Sequence, residues 1–282
     1  MLSLSRDPSG LTTLLQSTPS PSIYLDLCAL RKVSADPDQR ERFSRVLLHR
    51  EGTLLLSFIH LVEFSKVESA ETARLVEQLF VDLDLQFAFL HVFADQVIDA
   101  EDRLRATPPN TWQAPHLDNE LLRAFHRVSE GDPLDAHGFI RRFQDPSIVA
   151  ICKQFETACV RANQFLAQQR EKFGSDNAFR AEMKRAPKGP VIQAPTRYVA
   201  DEIRRSLIRD ATAPMTTNDW ADFFHTIVAV SYCDFVILDR RWFAAATQAQ
   251  RRLKKAGLLE DVHFARVFSV GKLTDFWAEF DV

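Results

Sequence analysis

Five short apolar runs punctuate the chain: SIYLDL (22–27), TLLLSF (53–58), LQFAFLHV (85–92), YCDFVILD (232–239) and HFARVFSV (263–270). Each has the length and density of apolar residues expected of a buried strand. Between them the pattern changes to helical spacing. A polar amphipathic stretch covers about 38–50. Ser57 is placed to cap a helix over IHLVEFSKV, and Ser69 one over ETARLVEQLF, where Leu75, Leu79 and Phe80 share a face. Strands separated by helices need crossover connections, and tight-turn signals such as Asn-Gly are missing from the sequence. The pattern therefore predicts an α/β fold with a parallel sheet flanked by helices.

From about 100 to 214 helical spacing dominates. TPPNTWQAP reads as a loop. The clearest helix then runs from Asp145 (N-cap) and Pro146 (first turn) to a stop at Gly174, with Ile148, Ile151, Cys152, Phe155, Cys159, Phe165 and Leu166 on its apolar face. APKGPVIQAP is a second loop, YVADEIRRSLIRD a further helix, and ATAPMTTN breaks it before Asp219. The expected organisation is an N-terminal leader (1–21), an α/β core in two pieces (22–100 and 215–282), and a long helical insertion (101–214) between them.

Apolar residues make up 46% of the chain, enough for a sizeable core, yet no apolar run approaches the ~20 residues of a membrane span. Arg6, Asp7 and Pro8 interrupt the start where a signal peptide needs an unbroken apolar stretch. The expectation is a soluble, cytoplasmic protein without membrane contact. Cys28, Cys152, Cys159 and Cys233 form no zinc-type spacing and read as buried free thiols.

The net charge of −3 conceals an uneven distribution. Ten acids face two bases between His60 and Asp102. Eleven bases face five acids between Arg161 and Arg209. Six bases and no acid lie between Arg240 and Lys255. Such local basic surface attracts polyanions, although solvated helix faces produce the same statistics.

Four acids fall at equivalent places in the predicted fold. Asp26 ends the first strand and Asp239 the fourth. Glu63 lies in the first turns of the helix after the second strand, and Asp222 in the first turns of the helix beginning near Asp219. In an open parallel sheet those positions share one edge, where ligands bind. Clustered carboxylates repel unless a cation lies between them, and Mg²⁺ or Mn²⁺ suits an all-oxygen set. Taken singly, each acid has an ordinary explanation: Asp219 and Asp222 as helix-start acids, Asp26 as a turn residue, Glu63 as an exposed face residue. Asp234, at the start of a strand, reads as structural.

The run DWADFFHTIVAVSYCDFVILDRRWFA resembles the C-terminal signature of PIN domains: an acid opens a helix, and a following strand ends in Asp with a basic turn behind it. SIYLDLCAL resembles the family's first strand, LLLSFIHLVEFSKV its second strand and Glu-bearing helix, and HFARVFSVGKLTDFWAEF its closing strand and helix. The resemblance covers roughly 20–95 and 215–282. It implies a PIN-like core and a Mg²⁺- or Mn²⁺-dependent nuclease that hydrolyses phosphodiester bonds, with RNA the first choice of substrate and DNA the second. Asp26, Glu63, Asp222 and Asp239 would be the metal-binding catalytic acids, with Asp219 and His225 as accessories. Many family members are homodimers or toxins paired with an antitoxin protein. Leu27 and Leu238 depart from the family, which often carries Ser or Thr there, and compact members lack the long insertion.

Arg240 and Arg241, just behind Asp239, and Lys184, Arg185 and Lys188 in the insertion are candidate contacts to the phosphate backbone. A surface role for the two arginines and a packed role for His225 remain open at this level. GxGxxG, P-loop, GxSxG and HExxH patterns do not occur in the sequence. The rival expectation is a catalytically weak PIN-like module that binds RNA or a protein partner.

Overall fold

The computed structural model describes residues 1–6, 12–65, 70–84, 86–106, 114–128, 146–185, 187, 193–210 and 215–281. The chain opens with an antiparallel pair, β1 (Leu2–Arg6) and β2 (Thr12–Gln16), in register Leu2 to Gln16 and Arg6 to Thr12. The predicted leader is thus partly ordered strand. Gln16 fixes it to the body: its Oε1 accepts the Phe89 N–H at 3.1 Å and its Nε2 donates to Asn119 Oδ1 at 3.0 Å.

All five apolar runs become strands of one parallel sheet: β3 (Ser22–Leu25), β4 (Thr53–Ser57), β5 (Phe87–Leu90), β6 (Phe235–Leu238) and β7 (Arg266–Ser269), in the order β5-β4-β3-β6-β7. The first four are buried along their whole length, which is why their sequences read as continuous apolar runs without alternation. Two helices, α1 (Leu27–Ala35) and α2 (Pro37–His49), connect β3 to β4; α3 (Phe58–Ser65) and α4 (Ala70–Leu83) connect β4 to β5. The result is a Rossmann-like α/β architecture.

Strand ends are tighter than the apolar runs suggest. β3 stops at Leu25 because Asp26 turns to cap α1, and β4 stops at Ser57 because Phe58 already begins α3. At the opposite edge Asp234 has the structural role expected of it. Its Oδ2 accepts from the Ser22 N–H at 2.7 Å, the Ser22 hydroxyl at 3.0 Å and the Ser20 hydroxyl at 2.9 Å, tying the start of β6 to that of β3.

After β5 come α5 (Ala94–Ala106), α6 (Asn119–Val128), α7 (Pro146–Ser175), α8 (Asn177–Lys184), α9 (Pro195–Arg209) and α10 (Thr217–Tyr232), before β6. α11 (Arg240–Lys255) and α12 (Leu273–Phe280) follow β6 and β7. On α7, Phe155, Cys159 and Leu166 are buried as expected, but Phe165 is 48% exposed and the helix continues past Gly174 to Ser175. The predicted cap Asp145 lies outside the described residues. α9 is tied into the helix layer over the sheet. Glu101 of α5 accepts from the Thr196 N–H at 3.1 Å and its hydroxyl at 2.6 Å, and Glu202, itself buried, pairs with Arg205 and with Arg252 of α11. Among the described residues no helix is long and apolar enough to cross a membrane.

Candidate metal centre

The strand order sets the site. From β3 the chain departs towards β4 on one side, and from β6 towards β7 on the other, so a crevice opens between the C-terminal ends of β3 and β6. Asp26 and Asp239 flank that crevice. The Asp26 N–H donates to the Ile237 carbonyl at 2.9 Å, placing it one step from the end of β6. Both acids are helix N-caps. Asp26 Oδ1 accepts the Ala29 N–H at 2.7 Å, and Asp239 Oδ1 accepts the Trp242 N–H at 2.8 Å. In each case one oxygen engages the helix start and the other is left for a ligand.

α10 brings the third acid. A capping box formed by Thr216 and Asp219 fixes its start, and Asp222, one turn later, keeps its side chain 37% exposed. Asp26 reports the convergence electrostatically. It is 6% exposed, and burial raises its carboxyl from 3.8 to about 6. The Ala29 N–H and His225 oppose that rise, while Asp222 and Asp239 add to it. The Cys28 thiol is also raised, by burial and then by Asp26, Asp222 and Asp239. Cys28 is exposed on the rim of the same cluster, contrary to the expectation that it is buried.

Glu63 sits one strand further along the edge, in α3, and is half-buried. What anchors its helix is His60, which the sequence reading did not single out. His60 Nδ1 accepts the Ser57 N–H at 3.0 Å, and Nε2 donates to the Leu25 carbonyl at 2.7 Å, joining α3 to the end of β3. Burial above all pushes His60 down to about 3, so it is neutral. Tyr24, wholly buried beneath the crevice, packs its ring against both His60 (5.1 Å) and His225 (5.2 Å). The signals for these residues were faint: a Tyr two before Asp26, and a His in the first turn after β4.

His225 is buried as the packed alternative required, yet among the described residues neither ring nitrogen has a hydrogen-bond partner. Its Nε2 stands 3.4 Å from Asp222 Oδ1. Asp219 is engaged elsewhere: beyond its capping role it pairs with Arg241. Arg241 also contacts Met215 Sδ at 3.1 Å and lies over the Trp242 ring, so these two candidates hold each other. Arg240 is exposed beside Asp239. Lys184 and Arg185 are exposed at the end of α8, where the Arg185 carbonyl accepts from Arg252, thirteen residues along α11 from its Asp239 cap. At 1.5 Å per residue that is roughly 20 Å from the acids. Lys188 lies outside the described residues.

Among the described residues no three His, Cys, Asp or Glu side chains stand together as a ready ligand set. The donors nevertheless suit a hard or borderline dication: three carboxylates at one crevice, one of them raised by burial and, to a lesser degree, by the other two, and a buried imidazole beside them. On the opposite face of α10, Phe223 and Phe224 floor a cleft of about 440 Å³ between α5, α7, α9 and α10. Arg161, Arg197 and Arg204 line it together with Asp95 and Asp99. No protein-family model matches this chain, no curated protein matches its sequence, and no solved structure matches its fold.

Proposed function

We propose that the chain is a PIN-like, divalent-metal-dependent nuclease that hydrolyses phosphodiester bonds, in RNA first and DNA second. The observation that carries this reading is the state of Asp26, a carboxylate at the switch point whose ionisation is resisted first by burial and then by Asp222 and Asp239. Folding such a cluster costs stability, and the cost is explained if a cation occupies it in the working protein. Asp26, Asp222 and Asp239 would hold Mg²⁺ or Mn²⁺, with Glu63 reaching in from α3. The bound ion would neutralise phosphate charge and lower the pKa of the attacking water.

The protein's own groups then position and bind. Asp26 and Asp239 stay fixed because each spends one oxygen on its helix start. Asp222 is exposed enough to meet solvent and substrate. Arg240 at the mouth, and Arg161 and Arg204 at the cleft on the opposite face of α10, supply cationic side chains for a strand. An antitoxin-like protein partner and a homodimer belong to the same proposal as expectations of the PIN-like reading.

The test is cleavage of a mixed single-stranded RNA pool with Mn²⁺, comparing wild type with Asp26→Asn and Asp239→Asn. Wild-type cleavage that EDTA abolishes and both variants lose supports the proposal; equal background in all three overturns it. The second reading, a module that binds RNA without cutting it, is favoured by the Asp219–Arg241 pair and the open ligand set. It predicts RNA binding that is indifferent to EDTA and to both substitutions.

A further inference from the structure

Two histidines share the buried stack beneath the crevice, with ring centroids 6.2 Å apart and planes within 21°. Their situations differ. His60 has both nitrogens engaged, by the Ser57 N–H and the Leu25 carbonyl. His225, with its side chain 3% exposed, has neither nitrogen hydrogen-bonded among the described residues. Buried imidazoles are nearly always satisfied, so an orphan beside three carboxylates calls for a partner.

We propose that His225 Nε2 is a nitrogen ligand to the dication held by Asp26, Asp222 and Asp239, and that the site therefore selects a first-row transition ion over Mg²⁺. The inference rests on the metal-centre reading above and adds the identity of the ion to it. Asp222 and His225 stand three residues apart on α10, so they share a face and point to one place. The same acid-x-x-His spacing presents both side chains to one ion in carboxylate-bridged di-iron bundles. Nε2 and Asp222 Oδ1 are 3.4 Å apart but lack hydrogen-bond geometry. Two donors on a common ion with bonds of about 2.1 Å lie roughly 3.0 Å apart at a right angle and roughly 3.4 Å apart at the tetrahedral angle. The pair already has the separation of two ligands.

The chemistry follows from the donor. Mg²⁺ prefers oxygen and keeps its waters, whereas imidazole suits Mn²⁺, Co²⁺ and Zn²⁺, with affinity rising in that direction apart from geometry. His225 also works against the rise that burial imposes on the Asp26 carboxyl, which places it within electrostatic reach of that acid.

The experiment uses the full chain loaded with Mn²⁺ and reads electron spin-echo envelope modulation. A histidine nitrogen coupling in wild type, lost in His225→Asn while Mn²⁺ still binds, is the expected result. In melting-temperature titrations, wild type should respond to Mn²⁺ at a concentration at least tenfold below that needed for Mg²⁺, and His225→Asn should shrink the ratio towards one. The wild-type spectrum needs no variant, so a misfolded His225→Asn does not blunt the test. Bound Mn²⁺ without nitrogen coupling, or coupling that persists in a folded His225→Asn, overturns the role of His225 and leaves the nuclease reading intact. Failure of wild type to bind Mn²⁺ at all overturns both.

Discussion

Asp26 is where function and stability conflict. Its carboxyl titrates near 6 in the folded protein against 3.8 for the free group, so the native state holds its proton more tightly than the unfolded chain does. Between those pH values the native state binds more protons, and the stability slope with pH is therefore negative. Stability from this group is present below about pH 4 and is lost as pH rises through about 6. The gap is worth about 3 kcal/mol. Asp26→Asn keeps a good helix cap and removes the charge. Urea unfolding without metal should find the variant more stable at pH 8 by roughly 1–3 kcal/mol, with the difference vanishing near pH 4. A variant less stable at pH 8 would mean the carboxylate is not under strain. His60 acts in the opposite sense. Held down to about 3 by burial, it stays neutral while an unfolded His takes a proton, so its contribution is lost as pH falls from 6.5 towards 3. That loss is common to both proteins and cancels from their difference.

At the scale of elements, the site depends on helices that begin at fixed points. α10 starts at a capping box, α11 at Asp239 and α1 at Asp26, each a side chain that satisfies the first free N–H groups. The strand preceding α3 depends on close approach instead. A Cβ on Gly52 would meet the Pro21 carbonyl oxygen at 2.6 Å and Leu47 Cδ1 at 2.7 Å, while the next N–H, that of Thr53, bonds the same carbonyl at 2.9 Å. Gly52→Ala must therefore separate β4 from the segment entering β3. It should cost about 1–3 kcal/mol in chemical unfolding and shift the acid edge with it. An unchanged unfolding midpoint would show that this contact yields without cost.

Over the whole molecule, charge that the chain totals to −3 is sorted by the fold. The acids Asp26, Asp222 and Asp239 gather at one crevice, and on the opposite face of α10 Arg161, Arg197 and Arg204 meet from two helices around a cleft that Asp95 and Asp99 also line. Arg197 is paired with Asp102 at 3.0 Å and Arg204 with Asp201 at 3.3 Å. A single strand that contacts Arg161 and Arg204 releases about 0.7 counterion at each. The Arg161→Ala, Arg204→Ala double variant should flatten the salt dependence of RNA affinity by about 1.4 in log–log slope, read by fluorescence anisotropy. An unchanged slope would move the strand away from this cleft.

The sequence by itself determined the strands and their parallel arrangement. Four of those five runs, β3 to β6, are buried along their whole length, and burial of that kind leaves a continuous apolar signature that needs no knowledge of neighbours. It also placed Asp26, Asp222 and Asp239 at one edge, because strand ends and helix starts alternate in a fixed sense along such a sheet. The fold alone decided what those residues experience. Asp219 and Arg241 are 22 residues apart and became partners only when α10 met α11. Lys184 and Arg185, basic and plausible in the chain, were carried to the far end of α11. The N-terminal pair β1–β2, Tyr24 and His60 acquire their roles from contacts with residues remote in sequence. So does His225, whose identity as an orphan rather than a satisfied core histidine depends on which groups surround it. Hydrophobic pattern is local and survives in the sequence; partnership between polar groups is a property of distance in space, and only the folded chain sets it.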